Sequence, residues 1–102
     1  NFETEQTLFR IVQGAVSNVV RHSHADCATI ELSLHADQIQ LAVSDNGIGF
    51  NPEKYFYGMG LRSIQERVEQ IGGILQINSA PGTGTQILVD CQRSLVPELD
   101  YT

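Results

Sequence analysis

Three groups of residues in this 102-residue sequence have types and spacings that suit chemistry. Asp45 closes the alternating run Ile39-Gln40-Leu41-Ala42-Val43-Ser44-Asp45, so strand parity puts its carboxylate on the side of Ile39, Leu41 and Val43. A carboxylate on an apolar side is costly to leave unpaired. It is either satisfied by backbone N–H groups of the Asn46-Gly47 turn, as an Asx motif, or reserved for a ligand. Gly47 and Gly49 follow it, and Gly58-Met59-Gly60 leads into an apolar-periodic segment at Leu61. A glycine-flanked helix start offers free N–H groups, positive partial charge and no side-chain obstruction, which suits a polyphosphate; turns and a mobile loop use glycines in the same way. The Walker pattern GxxxxGK[ST] is absent, and Ser63 stands where a dinucleotide fingerprint carries its third glycine. Asn18 is a polar residue within an apolar stretch, with Gly14 one helical turn before it and Arg21 and His22 one turn after. An amide carbonyl beside a cation and an imidazole suits Mg²⁺ and the phosphates it neutralises, and it equally suits a solvated helix end. Gly14 is the odd residue, because a glycine inside a helix costs about 1 kcal/mol relative to alanine.

The elements that must position these residues follow from periodicity. From Glu5 to about Arg21, Leu8, Ile11, Val12, Ala15, Val16, Val19 and Val20 recur at helical spacing, with Thr4 in the N-cap region. Thr29–His35 alternates, with Ile30, Leu32 and Leu34 expected inward, and Ile39–Asp45 alternates again after the link Ala36-Asp37-Gln38, which makes a hairpin. Asn46–Gly60 is a glycine-punctuated loop containing Phe50, Tyr55, Phe56 and Tyr57. A second helix carries Leu61, Ile64, Val68 and Ile71 and stops at Gly72-Gly73. Ile74–Ser79 and Thr85–Cys91 form a second hairpin around Ala80-Pro81-Gly82-Thr83-Gly84. Strands that come in adjacent pairs exclude a doubly wound fold. They point to an α/β two-layer sandwich, a mixed or antiparallel sheet covered on one face by helices. Residues 1–92 make one domain and residues 93–102 a C-terminal tail.

Composition narrows the function classes. The chain is 41% hydrophobic and 18% charged, as a folded domain is, and twelve acidic against six basic residues give a net charge of −6. That balance repels phosphate backbones and anionic headgroups, so neither nucleic acid nor direct membrane contact is expected. No apolar run approaches the ~18 residues of a membrane span. The start, Asn1-Phe2-Glu3-Thr4-Glu5, is acidic where a signal peptide is basic, so a cytoplasmic domain is expected. Cys27 and Cys91 lack the partners of a disulfide or zinc framework and read as reduced, half-buried small hydrophobes.

Taken together, the motifs resemble a known family. The run from Leu8 to Ser23 (LFRIVQGAVSNVVRHS) is similar to the N-box of GHKL ATP-binding domains, in the form used by sensor histidine kinases of the nitrate/nitrite-sensor, NarL-partner type. Asp45-Asn46-Gly47-Ile48-Gly49-Phe50 resembles the first glycine box of that family, and Gly58 to Val68 followed by Gly72-Gly73 resembles the second. Pro81-Gly82-Thr83-Gly84-Thr85 resembles the closing hairpin. These four ordered blocks cover Glu5 to about Cys91.

The resemblance implies a Bergerat-type sandwich that binds ATP with Mg²⁺ between the helices and a short lid, Asn51–Tyr57. It implies that Asp45 accepts the adenine amino group with Thr85 beside it, and that Asn18 ligates Mg²⁺ with Arg21 and His22 near the phosphates. Gly47 and Gly49 would let the loop pass the base and ribose. Gly58, Gly60 and Leu61 would close on the phosphates with N–H groups at the start of the second helix. The implied reaction is transfer of the ATP γ-phosphoryl group to a histidine on an upstream dimerisation domain, and from there to a response regulator. The isolated domain is expected to be monomeric and the full-length kinase to be membrane-anchored. Gly14 departs from the pattern, since the N-box carries a glutamate there, in the role of a general base. The alternatives are a GHKL nucleotide-binding module with weak or no turnover and an anti-sigma-type serine kinase.

Overall fold

A computed structural model describes residues 2–51 and 60–92. Most of the expected lid Asn51–Tyr57, Gly58 after it, and the tail 93–102 lie outside the described residues. The order is α1 (Phe2–Asn18), a π-helical turn (Val19–Ser23), β1 (Ala28–Leu34), β2 (Gln38–Asp45), α2 (Leu61–Gln70), β3 (Ile74–Ser79) and β4 (Thr85–Gln92). The strands form one antiparallel sheet in the order β1-β2-β4-β3, so each hairpin is intact and the two join through β2 and β4.

Strand parity decides what meets the helices. Leu41 and Val43 on β2 and Ile87, Val89 and Cys91 on β4 are nearly inaccessible, and so are Ile11 and Ala15 on α1 and Leu61, Ile64 and Val68 on α2. Phe50, from the loop after β2, is buried in the same core, with Leu8, Val12, Leu75 and Ile77 packed around it. Full burial of an aliphatic side chain of this kind contributes about 1.5–3 kcal/mol. The stop signal at Gly72-Gly73 takes its expected form. The Gly73 N–H donates to Val68 O at 2.9 Å and the Gly72 N–H to Glu69 O at 3.0 Å, with Gly72 at φ +68°, a Schellman closure of α2.

The first helix differs from its expected course. It is already helical at Phe2, which puts Thr4 inside the helix and not at its cap, and its α-helical part ends at Asn18. The backbone then widens into the π turn and leaves through His24 in the left-handed region, φ +53°. The spacing that groups Asn18 with Arg21 and His22 on an α-helical face is therefore broken on the C-terminal side of Asn18.

Ile30, Leu32 and Leu34 have the expected parity, pairing with Val43, Leu41 and Ile39, but they stay 50%, 57% and 57% exposed. The described helices pack against each other and over the other strands, and none covers β1. Phe2 and Phe9 on α1 and Val20 on the π turn are exposed as well. The cysteines also split. Cys91 is buried, and burial, with the nearby Asp90 charge adding, pushes its thiol above the ordinary value, whereas Cys27 is exposed.

Candidate functional site

At one end of the sheet, Asp45 on β2 is the register partner of Thr85 on β4, and both face a cavity beneath the helices. Ala15, Asn18 and Val19 of the first helical segment, Leu61 at the start of α2, Val43 and Ile87 of the sheet, and Gly49 and Phe50 of the loop supply the other walls. The enclosed volume is about 20 Å³, which holds a single water. Asp45 is half-buried, and its Oδ1 accepts the Gly47 N–H at 2.8 Å. The Asx turn thus engages one oxygen of a residue that lines the cavity. A carboxylate held in this way at an apolar wall accepts hydrogen from a polar ligand with high directional selectivity.

The loop that carries Asp45 is fastened by contacts that the sequence did not reveal. Asn46 Oδ1 accepts the N–H groups of both Asp26 and Cys27 at 3.0 Å, tying the loop to the root of β1. On the other side the loop lies directly on the β3–β4 turn. A Cβ on Gly49 (φ +68°) would sit 2.1 Å from Ala80 O, and one on Gly84 (φ +78°) would sit 2.3 Å from Asp45 O. The Gly82 N–H also donates to Ile48 O. Ser79 joins the two segments through its hydroxyl, which accepts the Phe50 N–H at 2.9 Å, reaches Gly84 O at 3.0 Å and contacts Thr85 Oγ1 at 2.8 Å.

The residues singled out from the sequence therefore separate into groups. Asn18, Asp45, Gly49, Leu61 and Thr85 line one cavity. Gly47 supports Asp45 from outside it. Gly60 caps α2 at φ +70°, with open space where a side chain would be and no side-chain cap hydrogen bond of its own. Arg21 is exposed on the π turn, whose backbone also carries His22. Gly58 lies outside the described residues. Gly14 faces α2: a Cβ there would lie 3.3 Å from Ile64 Cγ1, so the glycine permits close approach of the two helices. Ser79 and Asn46 were missed because one hydroxyl and one amide carry no signal of their own. Their only sequence cue is position, at the end of a strand beside a glycine turn.

Residues 3–94 match the family model described as histidine kinase-, DNA gyrase B-, and HSP90-like ATPase. Over 86 residues the chain is 46% identical to the sensor histidine kinase LiaS of Bacillus subtilis, covering 83% of this chain and 24% of that protein. It is 44% identical to the sensor protein VraS of Staphylococcus epidermidis, covering 83% of this chain and 25% of that protein. The chain thus spans about a quarter of the length of these relatives. Among solved structures, the histidine kinase domain of the blue-light activated kinase from Erythrobacter litoralis EL346 superposes with a TM-score of 0.74 at 23% identity, covering 87% of this chain and 44% of that one. The ATP-binding domain of PrrB from Mycobacterium tuberculosis gives 0.74 at 19% identity, covering 87% and 68%. At these identities the superpositions establish the fold, and with the family match they identify the α/β sandwich as that of the histidine-kinase ATP-binding domains. The chain belongs to the histidine kinase-, DNA gyrase B- and HSP90-like ATPase family.

Proposed function

We propose that this chain is the ATP-binding catalytic domain of a sensor histidine kinase of the NarL-partner type. In this reading it donates the γ-phosphoryl group of ATP to a histidine on an upstream dimerisation domain, for relay to a response regulator. The observation that carries it is the cavity shared by Asp45, Thr85 and Asn18 at the sheet end. Asp45 accepts the purine amino group with the oxygen that Gly47 leaves free, and Thr85 lies beside it. The water-sized cavity admits a base once Phe50 and Leu61 part from the sheet. The N–H groups at Gly60 and Leu61, with Gly58 before them, meet the phosphates.

Mg²⁺ would neutralise phosphate oxygens. Asn18 offers it one neutral oxygen, consistent with an ion that keeps several waters and takes its charge partners from the nucleotide. Arg21 and His22, on the π turn that follows Asn18, act near the phosphates. The domain acts in the cytoplasm, as a monomer in isolation, and the full-length kinase is membrane-anchored. Among the described residues no helix is long and apolar enough to cross a membrane.

One observation favours a second reading, a nucleotide-binding module with weak turnover. Gly14 brings no carboxylate to the N-box, and the space a Cβ would need is taken up by Ile64. The two readings share nucleotide binding and part at phosphoryl transfer.

The test is thermal unfolding with and without ADP–Mg²⁺. Saturation at about 100 times Kd adds ~2.7 kcal/mol, a rise in Tm of roughly 10 °C or more for a domain of this size. Asp45→Ala should abolish the rise while leaving unliganded stability within about 1 kcal/mol. An unshifted wild-type Tm at millimolar ADP, confirmed by calorimetry without heat, removes the nucleotide site.

A further inference from the structure

The hydroxyl of Ser79 is asked to serve three neighbours with a single proton. It lies 2.9 Å from Phe50 N, 3.0 Å from Gly84 O and 2.8 Å from Thr85 Oγ1. The Phe50 N–H can only donate and the Gly84 carbonyl can only accept. Ser79 therefore spends its proton on Gly84 and uses one lone pair for Phe50. The contact with Thr85 is a hydrogen bond only if the Thr85 hydroxyl is the donor and Ser79 the acceptor. This is the one arrangement in which all four groups are satisfied, as part-buried polar groups in folded proteins are.

The consequence falls on the cavity. Thr85 and Asp45 are register partners at its wall. With its proton held by Ser79, the Thr85 hydroxyl turns only lone pairs toward a ligand, as Asp45 does with its free oxygen. We propose that Ser79 is a positioning residue that fixes Thr85 as an acceptor, so that the site demands hydrogen donors and selects a 6-amino purine over a 6-oxo purine. A 6-oxo group brings an acceptor to two acceptors and can donate to neither, whereas an amino group donates to them directly or through a donating water. The water-sized cavity beside Thr85 accommodates such a bridge. Without Ser79 the Thr85 hydroxyl can rotate and donate, and the distinction weakens. This proposal rests on the nucleotide reading above.

The test is the ratio of ADP to IDP affinity, measured by calorimetry, since the two differ in the purine 6-substituent. The wild-type chain is expected to prefer ADP by at least tenfold, and Ser79→Ala to shrink that ratio about tenfold, the factor one such hydrogen bond controls. Ser79→Thr keeps the hydroxyl and restores the ratio. Thr85→Val leaves the Ser79 bonds to Phe50 and Gly84 in place, should shrink the ratio likewise, and decides the matter even if Ser79→Ala does not fold. Adding Ser79→Ala to Thr85→Val should change the ratio no further. Equal weakening of both nucleotides by Ser79→Ala, or an unchanged ratio in Thr85→Val, overturns the proposal and leaves the nucleotide site standing. A wild-type chain that binds neither nucleotide overturns both.

Discussion

Gly14 shows how a single missing methyl group is decided by two opposed effects. Alanine there gains about 1 kcal/mol of helix propensity, but its Cβ meets Ile64 Cγ1 at 3.3 Å, an inner atom of a buried, β-branched side chain. Such side chains have little rotamer freedom with which to yield, and overpacking of this kind costs about 1–3 kcal/mol. We therefore expect Gly14→Ala to lower stability by roughly 1 kcal/mol in urea unfolding, where propensity alone would raise it. Asp45 was the most legible residue, since alternation along β2 fixed its side and its neighbour Gly47 supplied the Asx partner. The reason for Gly14 was illegible, because it depends on which helix crosses α1 at that turn, and periodicity along one segment does not contain that.

At the scale of elements, the hairpins, the second helix and its glycine stop were readable because local patterns specify local structure: alternation, a 3.6-residue stripe, and positive φ at Gly72. The end of α1 was not. Val19 and Val20 continue the apolar stripe past Asn18, while the backbone has already widened into a π turn. The coupling of loop to hairpin was equally hidden, since Gly49 and Gly84 each read as ordinary turn residues. Their environment is another backbone: Ala80 O faces one and Asp45 O the other. A Cβ at Gly84 combines a left-handed φ with a main-chain collision, neither of which a rotamer change relieves. Gly84→Ala is accordingly expected to cost at least ~3 kcal/mol in chemical denaturation. The same substitution should impair ADP binding in whatever fraction remains folded, because the obstructed carbonyl belongs to Asp45.

Across the whole molecule, stability is unevenly distributed. Leu32 and Leu41 are register partners on the same face of the sheet, yet Leu41 is 3% exposed and Leu32 57%. Leu41→Ala should cost about 2–5 kcal/mol. Leu32→Ala, which removes atoms already half in water, should cost less than about 1 kcal/mol; comparable losses from the two would mean that β1 is covered in solution. The parity of β1 was legible in the sequence, but its burial was not, because alternation tells which residues share a face and not whether a helix lies over it. A strand held mainly by one ladder of backbone bonds is the first to surrender its amide protons to solvent exchange. Here that fraying has an address: the root of β1, at Asp26 and Cys27, hangs on the side chain of Asn46, next in sequence to Asp45. Breathing of the outermost strand is thereby transmitted to the acid, and conditions that steady this edge should also steady the mouth of the pocket.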